Sequence, residues 1–227
     1  MSLLEGIDAL TLDVGGVFVV PSHRRLTDAF TAAGLDVDTA RYWDGHYLAM
    51  HSVDLARSEA ETFGDYVPAF CHHLGLVDGA HAAGVAAIEP LFGPSGLWCE
   101  VIDESVAGVR ALADAGIPMA IVSNADGTVA QILREAGVCQ AGPGPLVEVA
   151  TVVDSGAIGV AKPDPAIFTP ALDALGTEAG RTLHVGDSVH YDVGGARAAG
   201  LRGVHFDPRR LCERTDHDHV AALTDLL

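Results

Sequence analysis

Basic side chains are scarce in this chain, and lysine is nearly missing. Lysine and arginine together number 13 against 31 aspartates and glutamates, a formal charge of −18, and the sole lysine is Lys162. A nucleic acid duplex or an anionic membrane surface gains no attraction from such a balance, so neither is expected as a partner. Long apolar runs are missing too. No stretch is long enough to span a bilayer, and the first residues lack the basic and apolar blocks of a secretion signal. The four cysteines (Cys71, Cys99, Cys139 and Cys212) are scattered without a C-x-x-C pair, which fits a reduced compartment better than a disulfide framework. A soluble, cytoplasmic chain is the expectation. Internal repeats and low-complexity tracts are absent as well.

What is present is a hydrophobic fraction of 49% in 227 residues, enough for one large domain or a core carrying a smaller insert. The first organised stretch is Ile7–Val17, an apolar run that ends on Asp13 and continues as Val14-Gly15-Gly16. A buried strand delivering a carboxylate to the carboxyl edge of a sheet has this pattern. The glycines let backbone amides, Gly16's among them, approach whatever sits against Asp13. Helical periodicity then covers residues 22–33, 38–52, 58–74 and 79–90, with Ser22 as a candidate N-cap. Pro90, Gly93, Pro94 and Gly96 punctuate a hinge. Behind it the chain alternates, with helices predicted at 103–115, 127–136, 165–175 and 192–199. Strands are predicted at 117–122, 148–153, 181–185 and 202–206.

Continuously apolar strands alternating with helices argue for an α/β fold, a doubly wound, Rossmann-like parallel sheet. An all-helical cap domain is inserted behind its first strand. The core is expected over residues 1–17 and 96–227, and the cap over 18–95. The terminal run Asp216-His217-Asp218-His219 has the composition of a metal tract, but no partner ligands stand at a recognisable spacing, so it reads as a solvated tail or helix start.

The strand ends supply a chemical set: Asp13 as a nucleophile, the Ser123 hydroxyl, the Lys162 cation, and hard oxygen ligands on Asp187 and Asp192. Such a set suits phosphoryl transfer, in which an attacking carboxylate divides one difficult displacement into two easier ones. Mg²⁺ takes one or two carboxylates, here Asp13 and Asp187, together with substrate oxygens and water. The lysine and the hydroxyl hold the transferring oxygens.

These residues resemble the haloacid dehalogenase (HAD) superfamily of hydrolases, in the subfamily whose helical cap follows the first strand. Four motifs run in order: Leu12-Asp13-Val14-Gly15-Gly16-Val17, Ile121-Val122-Ser123-Asn124, Gly159-Val160-Ala161-Lys162-Pro163-Asp164-Pro165, and Val185-Gly186-Asp187-Ser188-Val189-His190-Tyr191-Asp192. The resemblance covers essentially the whole chain. It implies Asp13 as nucleophile, Ser123 and Asn124 binding the transferred group, and Lys162 orienting it. Mg²⁺ would be held by Asp13, the Gly15 carbonyl and Asp187, with Asp192 supporting it directly or through water. If the cap closes over the site, His23, His46 and Tyr47 are the candidates to select a small phosphorylated substrate. A monomer or homodimer is expected.

One position departs from the family pattern. Family phosphatases carry a second aspartate two residues after the nucleophile, as acid and base; here that residue is Gly15. Such a group is worth about 10²–10⁴-fold in rate. Three remedies are open: a substrate with a good leaving group, a proton from a cap residue such as His23 or His46, or a substrate that is not a phosphate. Beside a Mg²⁺-dependent phosphatase stand two other readings: a dehalogenase-like, non-phosphoryl hydrolase using Asp13, and a catalytically weakened phosphometabolite-binding or regulatory protein.

Overall fold

A computed structural model describes residues 3–56, 65–93 and 96–227. The chain divides into two compact units, Met1–Val19 with Val101–Leu227, and Val20–Glu100.

Ten strands and nine α-helices follow in chain order among the described residues. They are β1 (Ala9–Leu12), β2 (Val19–Pro21), α1 (His23–Ala32), α2 (Tyr42–Ala56), α3 (Tyr66–His73), α4 (Asp78–Ile88), β3 (Trp98–Val101), α5 (Asp103–Asp114), β4 (Met119–Ser123) and α6 (Val129–Glu135). After these come β5 (Cys139–Ala141), β6 (Val147–Val149), β7 (Val152–Asp154), α7 (Ser155–Ile158), α8 (Thr169–Leu175), β8 (Thr182–Gly186), α9 (Gly195–Ala198), β9 (Arg202–Phe206) and β10 (Asp218–Val220).

The larger unit is built on a six-stranded sheet in the order β10-β9-β8-β1-β4-β7, parallel at every pair. All four residues of β1 and all five of β4 and β8 are buried. A strand covered on both faces has no solvent side to alternate toward, which is why these runs read as continuously apolar. From β1 the chain winds out through β4 to β7, then returns to the other side of β1 for β8 and β9. That reversal puts the crevice at the carboxyl ends of the central strands, where the loops diverge.

The helical unit has a core of its own. Leu26 and Phe30 of α1, Tyr42 and Met50 of α2, Tyr66 and Phe70 of α3, and Ile88 of α4 pack into one cluster. Ser22 caps α1, its side chain accepting from the Arg25 N–H. The predicted helix over 58–74 is described only in part, as α3, because residues 58–64 lie outside the described residues. Pro94 of the predicted hinge does too. The chain passes between the units along β2 and β3, which pair as a two-stranded ribbon too short to show as periodicity in the sequence.

Three elements differ from the sequence reading. The single strand expected over 148–153 is broken at Ala150, whose N–H donates to Met119 O at 2.8 Å; β6 therefore pairs with β5, and only β7 joins the large sheet. The helix expected over 192–199 starts earlier, as a π-helical turn over Val189–Gly194 that runs into α9. The segment expected as a tail or helix start is the edge strand β10, because β9 offers it an unpaired edge.

Candidate active site

Asp13 follows β1 directly, with its N–H donating to Val185 O of β8 at 2.9 Å, so the sheet ladder itself fixes where the carboxylate leaves the strand. Gly16 adopts a φ of 66°, the left-handed region that a side chain disfavours, and its N–H donates to Val19 O in a tight return. Gly15 is not among the left-handed glycines of the described residues.

Lys162 is buried; its Nζ donates to Asp192 Oδ1 at 2.6 Å and Val122 O at 3.1 Å, and it forms an ion pair with Asp13 Oδ1 at 2.7 Å. Burial disfavours the charged ammonium, but the two carboxylates outweigh it and hold the Lys162 pKa above its ordinary value. For Asp13 burial dominates, and the pKa lies above that of an ordinary aspartate although Lys162 pulls it down. Burial acts on Asp192 in the same direction, yet Lys162 and His184 overcome it and hold its carboxyl well below the usual carboxylate range.

Asp192 has both oxygens committed. Oδ1 accepts from Lys162 Nζ and from His184 Nε2 (3.0 Å), and Oδ2 accepts from the Ser188 N–H (3.0 Å). Its carboxylate thereby holds the Lys162 ammonium in place. The proximity that sequence spacing suggested is nonetheless present: Asp13, Asp187 and Asp192 each bring a carboxylate oxygen within 4.8 Å of the others. Gly186 makes room for this, since a Cβ on it would overlap the Asp192 carboxyl group.

Ser123 ends β4, buried, in register with Asp154 of β7. Asn124, read from the sequence as a contact to the transferred group, clamps the lysine loop. Its Nδ2 donates to Lys162 O (2.9 Å) and its Oδ1 accepts from the Lys162 N–H (2.7 Å). The loop after Ser123 is held from the side by Asp154, which accepts from the N–H groups of Gly127 (2.9 Å) and Val129 (3.1 Å). Asp126 accepts within its own turn, from the Thr128 N–H and hydroxyl. Asp164 caps the 3₁₀ turn Pro165–Phe168, accepting from Ala166 N–H.

Two buried polar residues of the network escaped the sequence reading. Thr11 Oγ1 lies 2.9 Å from His184 Nδ1, and His184 Nε2 faces Asp192. A carboxylate only accepts, so Nε2 carries the proton and Nδ1 accepts from the threonine hydroxyl. Thr11 and His184 are register partners across β1 and β8. Polar residues in the middle of two central strands were the available signal; their pairing was not.

The three residues expected to meet substrate from the helical unit are part of its packing. His46 is buried, its Nδ1 is 2.8 Å from Tyr66 Oη, and burial pushes its pKa down to about 3. Tyr47 is buried with its ring on His46. His23 is half-buried between the rings of Tyr42 and Trp43, with burial again lowering its pKa. Burial thus keeps His46 neutral and disfavours a charge on His23.

The model of the haloacid dehalogenase-like hydrolases matches residues 7–200, and the chain belongs to that family. It is 32% identical over 163 residues to haloacid dehalogenase-like hydrolase domain-containing protein 3 of Bos taurus, covering 70% of this chain and 57% of that one. It is 38% identical over 92 residues to a phosphoserine phosphatase of Thermus thermophilus, covering 40% and 34%. The chain thus spans 57% or less of the length of these relatives. The fold is that of a HAD phosphatase from Thermococcus onnurineus (20% identity, TM-score 0.57, 97% of this chain and 96% of that one). A 2-haloacid dehalogenase from Pseudomonas syringae is similar to the same extent (19% identity, TM-score 0.54, 97% and 96%). Among the described residues no helix is long and apolar enough to cross a membrane.

Proposed function

We propose that this hydrolase is a Mg²⁺-dependent phosphatase that acts on a small phosphorylated metabolite through a phosphoryl ester on Asp13. The observation that carries this reading is the charge balance at the sheet edge, where three buried carboxylates meet a single ammonium. Asp192 and Lys162 neutralise one another. Asp13 and Asp187 then form a hard-oxygen pair that fits a small divalent cation, with the Gly15 carbonyl in the same loop. When bound, Mg²⁺ supplies positive charge against the phosphoryl oxygens and against the repulsion between them and Asp13.

The chain's own groups do the rest. Lys162 fixes one Asp13 oxygen and so directs the other toward phosphorus. The Asp13 oxygen forms a bond to phosphorus as the bond to the leaving oxygen breaks, and water then attacks the same phosphorus, releasing phosphate and restoring the carboxylate. The Ser123 hydroxyl, fixed at the end of β4, donates to a phosphoryl oxygen during both steps. With glycine at position 15 no side chain there protonates the leaving oxygen. The neutral, buried His46 does not replace it. Aryl and acyl phosphates, whose leaving groups need little protonation, are therefore the favoured substrates.

A panel of phosphate esters assayed with and without Mg²⁺ tests the reading. Hydrolysis of p-nitrophenyl phosphate that is abolished by chelation and by Asp13→Asn supports it. Halide release from 2-haloacids without metal would replace it with the dehalogenase-like reading, and a ligand-induced rise in melting temperature without turnover with the regulatory one.

A further inference from the structure

At the opposite edge of the sheet from β7, a second group of ligand side chains converges. His205 of β9 and His219 of β10 are register partners, so the sheet places their side chains on one face. His217 precedes His219 by two residues and shares that face. Cys212 arrives from the connecting loop, which Asp207 folds back by accepting from the N–H groups of Leu211 and Cys212, both at 2.9 Å. A ligand atom from each of His205, Cys212, His217 and His219 lies within 4.8 Å of the others. His205 and the His217 side chain are buried, and the other two are half-buried.

The hydrogen bonds around this cluster are those of a ligand shell. His205 Nε2 donates to Asp187 O (3.1 Å), His217 Nδ1 to Asp216 Oδ1 (2.9 Å) and His219 Nε2 to Arg214 O (2.9 Å). Each of these oxygens only accepts, so the bonded nitrogen carries a proton, and in the neutral ring the other nitrogen is the one that can ligate a metal. Metal-ligating histidines are oriented in this way. For His217 the presented nitrogen is Nε2, which lies 3.7 Å from Cys212 Sγ. Ligands at the Zn–N and Zn–S distances of a tetrahedral site are about 3.5 Å apart, so this edge needs little adjustment.

We propose that His205, Cys212, His217 and His219 form a structural Zn²⁺ site. Three imidazoles and a thiolate are a borderline-soft set that suits zinc, and four protein ligands leave no open position for catalysis. The set is chemically distinct from the all-oxygen pair Asp13 and Asp187, so the two sites select different metals. Its position gives it two tasks. It pins the three-residue strand β10 to β9, and through the other nitrogen of His205 it steadies the main chain at Asp187.

Cobalt reports this site directly. The full-length protein, stripped by a chelator and returned to excess Mg²⁺, is expected to bind one Co²⁺ per chain with a thiolate-to-cobalt charge-transfer band. Zn²⁺ should displace the cobalt, and Mg²⁺ should not. Cys212→Ser should lose the band, and Asp216→Asn, outside the ligand shell, should weaken Zn²⁺ binding about 10–100-fold. In the unaltered protein, Zn²⁺ should protect Cys212 from alkylation while the exposed Cys99 still reacts, a readout that needs no variant to fold. The proposal is overturned by a cobalt complex without the band, by a band that survives in Cys212→Ser, or by equal alkylation of Cys212 with and without Zn²⁺.

Discussion

Lys162 is the residue on which the interior of the site turns. Its ammonium is buried with Asp192 on one side and Asp13 on the other. Removing one partner of a buried ion pair strands the other, at about 3–5 kcal/mol. Lys162→Met is accordingly expected to lower unfolding stability by about that amount in urea titrations and, on the proposed function, to abolish hydrolysis of p-nitrophenyl phosphate. Gly15 has the opposite character, since nothing in its backbone conformation forbids a side chain. Gly15→Asp supplies the missing acid and base, so turnover of alkyl phosphates should rise by about 10²–10⁴-fold while that of p-nitrophenyl phosphate changes little. Parallel steady-state assays on the two esters check this; an equal gain on both would mean that proton transfer to the leaving group is not what the glycine costs.

At the scale of elements, the turn from β8 into α9 carries the precision of the site. Asp192 reaches back over Gly186 to take the Ser188 N–H from within the π-helical turn Val189–Gly194. Gly186→Ala puts a methyl group where the carboxyl group stands. It should displace Asp192, release Lys162 and reduce kcat far more than KM, while circular dichroism remains native. The strands that lead to Asp13, Ser123 and Asp187 were legible in the sequence because a buried parallel strand is a local signal, an apolar run that stops at a polar residue. The pairing of Thr11 with His184 was not, because it depends on the register between β1 and β8, 173 positions apart. Nor was the Asn124 clamp, which joins loops 38 residues apart. The histidines near the end of the chain were visible as composition, but only the β9 edge supplies the partner that turns them into a cluster. The histidines of the helical unit show the converse: His46 lies on a helix face that sequence alone does not distinguish as inward.

For the whole molecule, acid is the weak side. His46 is held neutral by burial, with its pKa at about 3 against an ordinary 6.5. Between these values the unfolded chain binds the proton and the folded chain does not, so stability falls as pH drops from about 6.5 toward 3. Each pH unit in that window costs about 1.4 kcal/mol from this one group. Denaturant midpoints across the window should show a shallower slope in His46→Gln than in the parent; parallel slopes would place the acid sensitivity elsewhere. A last consequence comes from the scarcity of lysine. An amine-reactive ester meets a single side-chain amine in this molecule, and that amine is shielded in the folded core. The speed at which Lys162 acquires the label is therefore a clock for how often the catalytic crevice breathes open, read by mass spectrometry from one peptide and without any engineered probe.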